Sequence, residues 1–171
     1  MGLRSWLMLL VSLLTATLPA AAEEMALPAG LQAALFKKIF AYDKNLEAKG
    51  AWSVLVVHSG SPSAAEELIK GFDDVGIEAS AVDASDLVAR IRGAGVVYVL
   101  PGVGAAPVMQ LCSDNAVLSV SGLASLAEAG DVSIGLGEEG GKPRIVVNLS
   151  RAKIENHQFS SDLLKLATVI R

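Results

Sequence analysis

The stretch WSVLVVHSG, from Trp52 to Gly60, decides the fold. Its apolar residues follow one another without the alternation of polar and apolar positions that marks a strand with one face in water. Such valine-rich runs are typical of strands buried on both faces of a parallel sheet. A second run of this kind, VVYVL, covers residues 96–100. Both runs therefore predict buried strands of a mainly parallel sheet.

Segments with a helical pattern alternate with these strands. Residues 30–50 predict one helix that ends at Gly50, and a second helix is predicted from Pro62 toward Gly76. Strands and short helices continue to alternate up to Gly130, which indicates an α/β domain. Two later segments, VSIGLG and PRIVVNL, are joined by the short polar link EEGGK. They predict an antiparallel hairpin at one edge of the sheet.

The chain closes on SSDLLKLATVIR, residues 160–171, which predicts a final amphipathic helix running to the last residue. At 100° per residue, one broad apolar face is shared by Leu163, Leu164, Leu166, Ala167 and Ile170. Val169 lies off this face. The face either seals the core or contacts a partner, and the pattern leaves both open. The predicted fold class is thus α/β, a three-layer sandwich with a mainly parallel sheet, a C-terminal antiparallel hairpin and a terminal helix.

The N-terminal residues have the layout of a secretory signal peptide. A basic residue, Arg4, precedes a short apolar run, and small residues at 20–22 form an A-x-A cleavage site. The apolar run is short for a bilayer core of about 30 Å. We therefore expect residues 1–22 to be a cleavable signal peptide and residues 23–171 to form a single exported domain.

The composition argues against several classes of function. The 171 residues include 14 basic and 18 acidic ones without a basic cluster, so nucleic acid is not an expected partner. The only histidines, His58 and His157, form no metal-ligand pattern with Cys112. Cys112 has no internal disulfide partner and is either a buried apolar residue or a free thiol that links two chains. No motif predicts a catalytic residue, a cofactor or a metal, so we expect a protein that is not an enzyme.

Three loops that follow predicted strands are candidates for a site that binds a small polar ligand. In open α/β sheets, ligands bind beyond the carboxyl ends of strands, near the point where the strand order reverses. The loops HSGSP, PGVGAAP and SVSGL are small and polar or rich in glycine, and each leads into a helix start, which favours an anion or a carboxylate. The candidate ligand-binding residues are His58, Ser59, Ser61, Gly102, Gly104 and Ser121. A dinucleotide is not favoured, because Pro107 stands where G-x-G-x-x-G needs its third glycine.

The segment IVVNLSRAKIENHQFSSDLLKLATVIR, residues 145–171, resembles the C-terminal signature of the YfiR family of periplasmic proteins. The matching features are Asn148–Leu149, Ala152, Phe159–Ser161, Leu163–Leu164 and Leu166–Ala167. Residues 117–136 and 34–46 resemble the hairpin region and the opening helix of the family. Two features depart from it. The segment AYDKNLEA replaces the usual aromatic–Trp-Pro segment, and the paired cysteines of the redox-sensitive repressors are missing.

The resemblance implies a periplasmic, non-enzymatic regulator. It would bind the periplasmic part of an inner-membrane signalling protein of the diguanylate cyclase type, repress or tune it, and so affect cytoplasmic cyclic di-GMP. Self-association as a homodimer is a further implication, whereas disulfide-controlled release is not carried over. The candidate partner-binding residues are Phe159, Leu166, Val169 and Ile170, with Phe159 and Val169 as the anchors, since aromatic residues often dominate interfaces. The alternative is a small-ligand carrier or sensor that uses the three loops.

Overall fold

The structure is a computed structural model that describes residues 25–49, 52–60 and 62–171. The predicted signal peptide at 1–22, the predicted helix end at Gly50 and the candidate ligand residue Ser61 lie outside these residues. Among the described residues, no helix is both long and apolar enough to cross a membrane.

Helices and strands alternate through most of the described chain. The helices are α1 (Ala29–Phe40), α2 (Lys44–Lys49), α3 (Ser63–Asp74), α4 (Leu87–Arg90), α5 (Ala105–Asn115), α6 (Ala124–Ala129), α7 (Leu149–Ile154) and α8 (Ser161–Leu166). The strands are β1 (Ser53–His58), β2 (Glu78–Asp83), β3 (Val96–Val99), β4 (Leu118–Ser121), β5 (Ile134–Glu139), β6 (Lys142–Asn148) and β7 (Thr168–Ile170).

The strands form one sheet in the order β2-β1-β3-β4-β5-β6-β7. All neighbouring pairs are parallel except β5 and β6, which form the predicted antiparallel hairpin. The two valine-rich runs are neighbours, with Val54 opposite Val96. The strand order reverses at β1, because the chain passes from β1 to β2 on one side and then to β3 on the other. The predicted α/β class with a mainly parallel sheet is confirmed.

Helices cover both faces of the sheet, as strands buried on both sides require. On one face, the ring of Tyr98 in β3 lies 5.8 Å from that of Phe36 in α1 and 6.2 Å from that of Phe72 in α3. The helices α5, α6 and α7 cover the other face, where Arg151 of α7 bonds to α5. A row of large buried rings therefore holds the α1 layer against the centre of the sheet.

The hydroxyl of Tyr98 fixes the position of α1. It donates to the side-chain oxygen of Gln32 at 2.5 Å, and the Gln32 amide donates to the carbonyl of Leu27 at 2.7 Å. Tyr98 is fully buried, and burial raises its pKa well above the usual range. Gly122 leaves room for this hydrogen bond, because a Cβ there would collide with the Gln32 oxygen and the Tyr98 hydroxyl.

The long helix predicted at residues 30–50 is two helices. The first ends at Phe40 and the second begins at Lys44. Between them, the carboxylate of Asp43 accepts a hydrogen bond from the backbone N–H of Asn45 at 2.9 Å. An aspartate in this role starts a new helix rather than continuing the old one.

The prediction of a helix running to the last residue is wrong in its extent. α8 ends at Leu166, and Thr168–Ile170 form the strand β7, which pairs with β6 in parallel. All three residues of β7 are β-branched, and such residues fit a strand better than a helix. Val169, which the helical pattern does not accommodate, pairs with Val147. The hairpin is consequently not at the edge of the sheet, because β7 covers the outer side of β6.

We expect Gly122→Ala to lower the free energy of unfolding by about 1–3 kcal/mol, because overpacking at this position forces the Gln32 and Tyr98 side chains apart. Urea denaturation followed by circular dichroism measures the change. Gly30→Ala is the matched control: nothing lies within 4 Å of a Cβ there, and alanine suits a helix better than glycine. A G122A protein as stable as G30A would contradict this account of the packing.

Candidate functional site

An open apolar groove of about 440 Å³ lies between α1 and α8. Its lining residues are Leu35, Lys38, Ile39, Ala41, Tyr42, Ile145, Leu163 and Leu166. Leu166 is 70% exposed and stands at the rim, while Leu163 is buried beneath it. Leu166 and the apolar residues that line the groove together form one exposed apolar patch, and such a patch is typical of a contact surface for another molecule.

Charged residues border the groove on the β6 side. A shallower depression of about 350 Å³ continues past Ile145 and Leu166. Its charged residues are Glu139, Lys142, Arg144 and Lys165. Lys38 is the one charged residue among those that line the groove itself. The surroundings of the groove therefore carry more positive than negative side chains, although the chain as a whole is acidic.

Backbone hydrogen bonds hold α8 in place beside α1. The connector of residues 155–160 leads from α7 to α8 and runs past the corner between α1 and α2. The N–H of Lys44 donates to the carbonyl of Gln158 at 3.1 Å, and the N–H of Ser160 donates to that of Tyr42 at 2.9 Å. Asp43 and Phe159 form a short antiparallel bridge between these bonds. The position of α8, which forms one wall of the groove, thus depends on the hydrogen bonds between this connector and the corner between α1 and α2.

A buried pair of ionisable side chains reinforces the attachment. Nδ1 of His157 lies 2.5 Å from Oδ2 of Asp43, and both side chains are almost fully buried. On the other side of the ring, Nε2 of His157 lies 3.3 Å from the carbonyl oxygen of Ala116. The second carboxylate oxygen of Asp43 accepts the N–H groups of Asn45 and Leu46. The pair therefore joins the connector to the start of α2 and to the end of α5.

A second buried cluster anchors α7 on the opposite face of the sheet. The carboxylate of Glu155 accepts hydrogen bonds from the N–H and the hydroxyl of Ser119, from the hydroxyl of Ser133 and from Nε of Arg151. Arg151 also donates to the Ser113 hydroxyl at 2.8 Å and to the Met109 carbonyl. Each oxygen of the buried carboxylate is paired, as a buried charge requires.

Cys112 lies beside this cluster and is fully buried. Burial, with a smaller contribution from Glu155, raises the pKa of its thiol. The structure therefore places Cys112 as a packed core residue, one of the two alternatives that the sequence left open.

The four candidate partner-binding residues differ in exposure. Leu166 is exposed, Val169 and Ile170 are half-buried on β7, and Phe159 is buried in the core with 6% of its surface exposed. Phe159 is therefore a core residue rather than an exposed contact, and of the four only Leu166 lines the groove. The sequence pattern missed the other wall of the groove, formed by Leu35 of α1 and by Tyr42 in the turn after α1.

The candidate ligand-binding residues meet only in part. His58 is the last residue of β1 and Ser59 follows it, and the glycines 102 and 104 follow β3, which is the neighbour of β1 at the reversal of strand order. Ser121 is buried, and its hydroxyl donates to the carbonyl of Val99 at 2.7 Å, so it is not open to a ligand. Nδ1 of His58 is 3.7 Å from Oδ2 of Asp83 and has no hydrogen-bond partner among the described residues. Hydrogen bonds from Ser85 lower the pKa of Asp83.

Within the described part of the chain, no group of three or more His, Cys, Asp and Glu residues could hold a metal ion.

We expect Glu155→Ala to lower the free energy of unfolding by about 3–5 kcal/mol, because it leaves the buried Arg151 guanidinium without its counter-charge. Chemical denaturation measures the loss. Glu67→Ala removes an exposed carboxylate from a helix and should change stability little. If both variants unfolded at the same urea concentration, Glu155 would not be the anchor described here.

Two solved structures share the fold. The chain is similar to a conserved domain protein from Vibrio cholerae O1 biovar El Tor, with a TM-score of 0.65, 16% identity and coverage of 85% of this chain and 61% of that one. It is also similar to the ABC domain in complex with L-Trp from Streptococcus pneumoniae, with a TM-score of 0.63, 13% identity and coverage of 84% and 62%. The chain thus spans less than two thirds of the length of either neighbour, and likeness at these identities shows the fold alone.

Comparison with curated proteins finds no match. A family model described as YfiR/HmsC-like matches residues 30–168. The match begins at the second residue of α1 and ends at the first residue of β7, so it includes all the other described helices and strands. Proteins of the YfiR-like family are periplasmic regulators of diguanylate cyclases. The resemblance carried by the C-terminal segment is therefore confirmed. Because the match covers most of its length, the chain belongs to the YfiR/HmsC-like family.

Proposed function

We propose that this protein is a periplasmic, non-enzymatic regulator that binds the periplasmic part of an inner-membrane signalling protein of the diguanylate cyclase type and represses it. The observation that carries the proposal is the open apolar groove between α1 and α8, with Leu166 exposed at its rim. Membership of the YfiR/HmsC-like family supports the class of partner. The predicted signal peptide supports the compartment.

The groove has the composition of a docking surface rather than of a reaction centre. Apolar side chains of Ile39, Ile145 and Leu163 lie at its base or along its sides, and its one charged lining residue is Lys38. Interfaces commonly combine such an apolar centre with a polar rim. An apolar segment of the partner would fill the groove and remove Leu166 from water.

The charges around the groove favour a partner segment with acidic flanks. Lys38 lies on the α1 side and Lys142 lies beyond Leu166, as does Lys165, which pairs with Asp162 at 3.3 Å. Complementary charges steer association and fix the orientation of the bound segment more than they add affinity. We therefore propose Leu166 as the contact residue of the groove, flanked by these lysines, with Val169 and Ile170 of the adjoining strand β7 as further candidate contacts outside the groove.

Leu166→Asp should weaken binding to the partner at least about tenfold, since a charge replaces an exposed apolar side chain that lines the groove. In cells, the same change should abolish repression and raise cyclic di-GMP to the level of a deletion strain. Val88→Asp is the matched control. Val88 is 64% exposed on α4, near the opposite edge of the sheet, so the same charge there should leave binding and cyclic di-GMP unchanged.

A photo-crosslinking residue at position 166 identifies the partner, with position 88 as its control. A product with an inner-membrane signalling protein from position 166 alone supports the proposal. A product that contains only a second copy of this chain contradicts it, because the groove would then be a homodimer interface. Equal effects of L166D and V88D would also count against the groove as the binding surface.

Binding of a small polar ligand is the second candidate function. It is favoured by the strand reversal between β1 and β3, which brings the loops of His58 and Gly102 side by side. Nδ1 of His58, which makes no hydrogen bond among the described residues and lies 3.7 Å from Oδ2 of Asp83, is the polar group that motivates this candidate. Ligands of α/β sheets bind at such a reversal.

A thermal-shift screen with small carboxylates and phosphates tests this second function. A ligand at about 100 times its Kd adds about 2.7 kcal/mol to the free energy of unfolding, so a true ligand should raise Tm by several degrees. His58→Ala should remove the shift, whereas Leu166→Asp should leave it intact. Absence of any shift across the screen would sink the ligand hypothesis.

A further inference from the structure

We infer that the groove between α1 and α8 receives an amphipathic helix of the partner, which lies along α1 and carries an acidic side chain opposite Lys38. The inference rests on the proposed function, because it takes the groove as the binding surface, and it adds the form and the charge of the segment that binds there. It also extends the contact beyond the groove, to Leu31 near the start of α1.

The outward face of α1 carries a line of residues at the spacing of paired helices. Leu31, Leu35 and Lys38 lie in the helix, and Tyr42 follows in the turn after it, so that successive members are four, three and four residues apart. We call these four residues the α1 seam. Leu31 is 41% exposed, Tyr42 is 36% exposed and Leu35 is half-buried, whereas the other face of α1 packs into the core. Alternating steps of three and four residues are typical of a helix face that packs against a second helix.

The groove lies beside this seam, within the layer of helices that covers one face of the sheet. Leu35, Lys38 and Tyr42 of the α1 seam line one side of it, and Leu163 and Leu166 of α8 line the other. Helices in such a layer pack side by side at about 8–10 Å, with the side chains of one in the grooves of the next. A third helix between α1 and α8 would therefore bury its apolar face against both.

The strands next to the groove disfavour an extended partner segment. An extended segment binds by adding to a free strand edge, where its main chain finds unpaired N–H and C=O groups. Among the described residues, Ile145 of β6 is the only strand residue that lines the groove, and β6 lies between β5 and β7 in the sheet. The groove therefore offers side chains rather than an open strand edge. This suits a helix, whose main-chain hydrogen bonds are made internally.

The charge of α1 indicates the charge of the bound helix. α1 contains Lys37 and Lys38 and no acidic residue. Nζ of Lys37 donates to the carbonyl of Val75 at 2.6 Å, whereas Lys38 has no hydrogen-bond or ion-pair partner in the described part of the chain. On α8, Lys165 and Asp162 pair with each other at 3.3 Å. An acidic side chain opposite Lys38 would thus pair with the one charged residue among the described ones that line the groove.

The same charges disfavour pairing with α1 of a second copy of this chain. If α1 of one copy lay against α1 of another, the lysines of both helices would meet without an acidic residue on either. Like charges placed together across an interface cost free energy and suppress wrong partners. The occupant is therefore a helix of another protein, with apolar side chains at steps of three and four residues and a carboxylate among them.

Photo-crosslinking residues at positions 31 and 42 of the exported protein, placed one at a time in cells, test the form of the occupant. These positions differ by 11 residues on a helical path, or about 16 Å at about 1.5 Å per residue. A bound helix spans that distance with about 11 residues, whereas an extended segment spans it with about five. Mass spectrometry of each product locates the attachment point in the captured protein. We expect the two attachment points to lie about 11 residues apart and position 88 to give no product with that protein.

Leu31→Glu tests the contact beyond the groove. It should weaken binding of the captured protein at least about threefold, because it sets a charge in an apolar contact one turn before Leu35. Val88→Glu is the matched control: it places the same charge at an exposed valine on α4 and should leave binding unchanged. Both side chains are exposed, so both variants should fold, which circular dichroism checks.

Lys38→Glu tests the charge of the occupant. It should weaken binding at least about tenfold at low salt and less at high salt, because it replaces an attraction by a repulsion that ions screen. Lys153→Glu is the control, since Lys153 is exposed on α7 at the opposite face of the sheet. Replacing the acidic residue of the captured helix by lysine should restore binding to K38E.

Attachment points about five residues apart would overturn the inference, and so would capture from position 166 without capture from position 31. Binding by L31E equal to that by V88E, or by K38E equal to that by K153E, would also overturn it. If position 166 still captures an inner-membrane signalling protein in these cases, the proposed function stands. Helical spacing in a captured protein that takes no part in membrane signalling supports the inference and contradicts the proposed function. A second copy captured at every position, or no product at all, overturns both.

Discussion

The structure depends on the way its closing segment crosses from one helical layer to the other. α7 lies with α5 and α6 on one face of the sheet, whereas α8 lies with α1 on the other. The chain must therefore cross the end of the sheet at which the parallel strands begin. Polar side chains of the crossing segment are buried as a result. A buried polar group is tolerated only when its hydrogen bonds are made. Glu155 meets this requirement on the first face with Ser119, Ser133 and Arg151, and His157 meets it in the crossing with Asp43.

Local patterns in the sequence were sufficient for the central part of the fold. The run at Val54–Val57 is short, apolar throughout and rich in valine, which favours a doubly buried strand. The link between VSIGLG and PRIVVNL is short and polar, which favours a hairpin. The last residues were different. The spacing of the leucines favours a helix up to the last residue, whereas the β-branched residues Thr168–Ile170 favour a strand. Pairing with the otherwise open edge of β6 stabilises the strand. Val169, off the apolar face of such a helix, was the one local sign of that outcome.

The candidate site was harder to foresee, because it joins segments that are distant in sequence. Asp43 and His157 are separated by 114 positions. Each has a simple local interpretation, Asp43 as a helix residue and His157 as a loop residue, and neither interpretation points to the other. One wall of the groove is formed by α1 with the turn after it, and the other by α8. A prediction based on the C-terminal helix alone could therefore find Leu166 but not Tyr42. The fold class alone would also have pointed to another place, because α/β sheets usually bind ligands at the strand reversal and the open apolar groove does not lie there.

The single cysteine has a practical consequence. Cys112 is the only thiol in the chain, it is fully buried against α7, and burial raises its pKa. The thiolate is the reactive form, so a cysteine held in this way is inert while the native packing persists. A thiol reagent would modify this protein only in molecules that have opened around α5. The rate of modification would then report how often that part of the core opens in the native state, without any engineered probe.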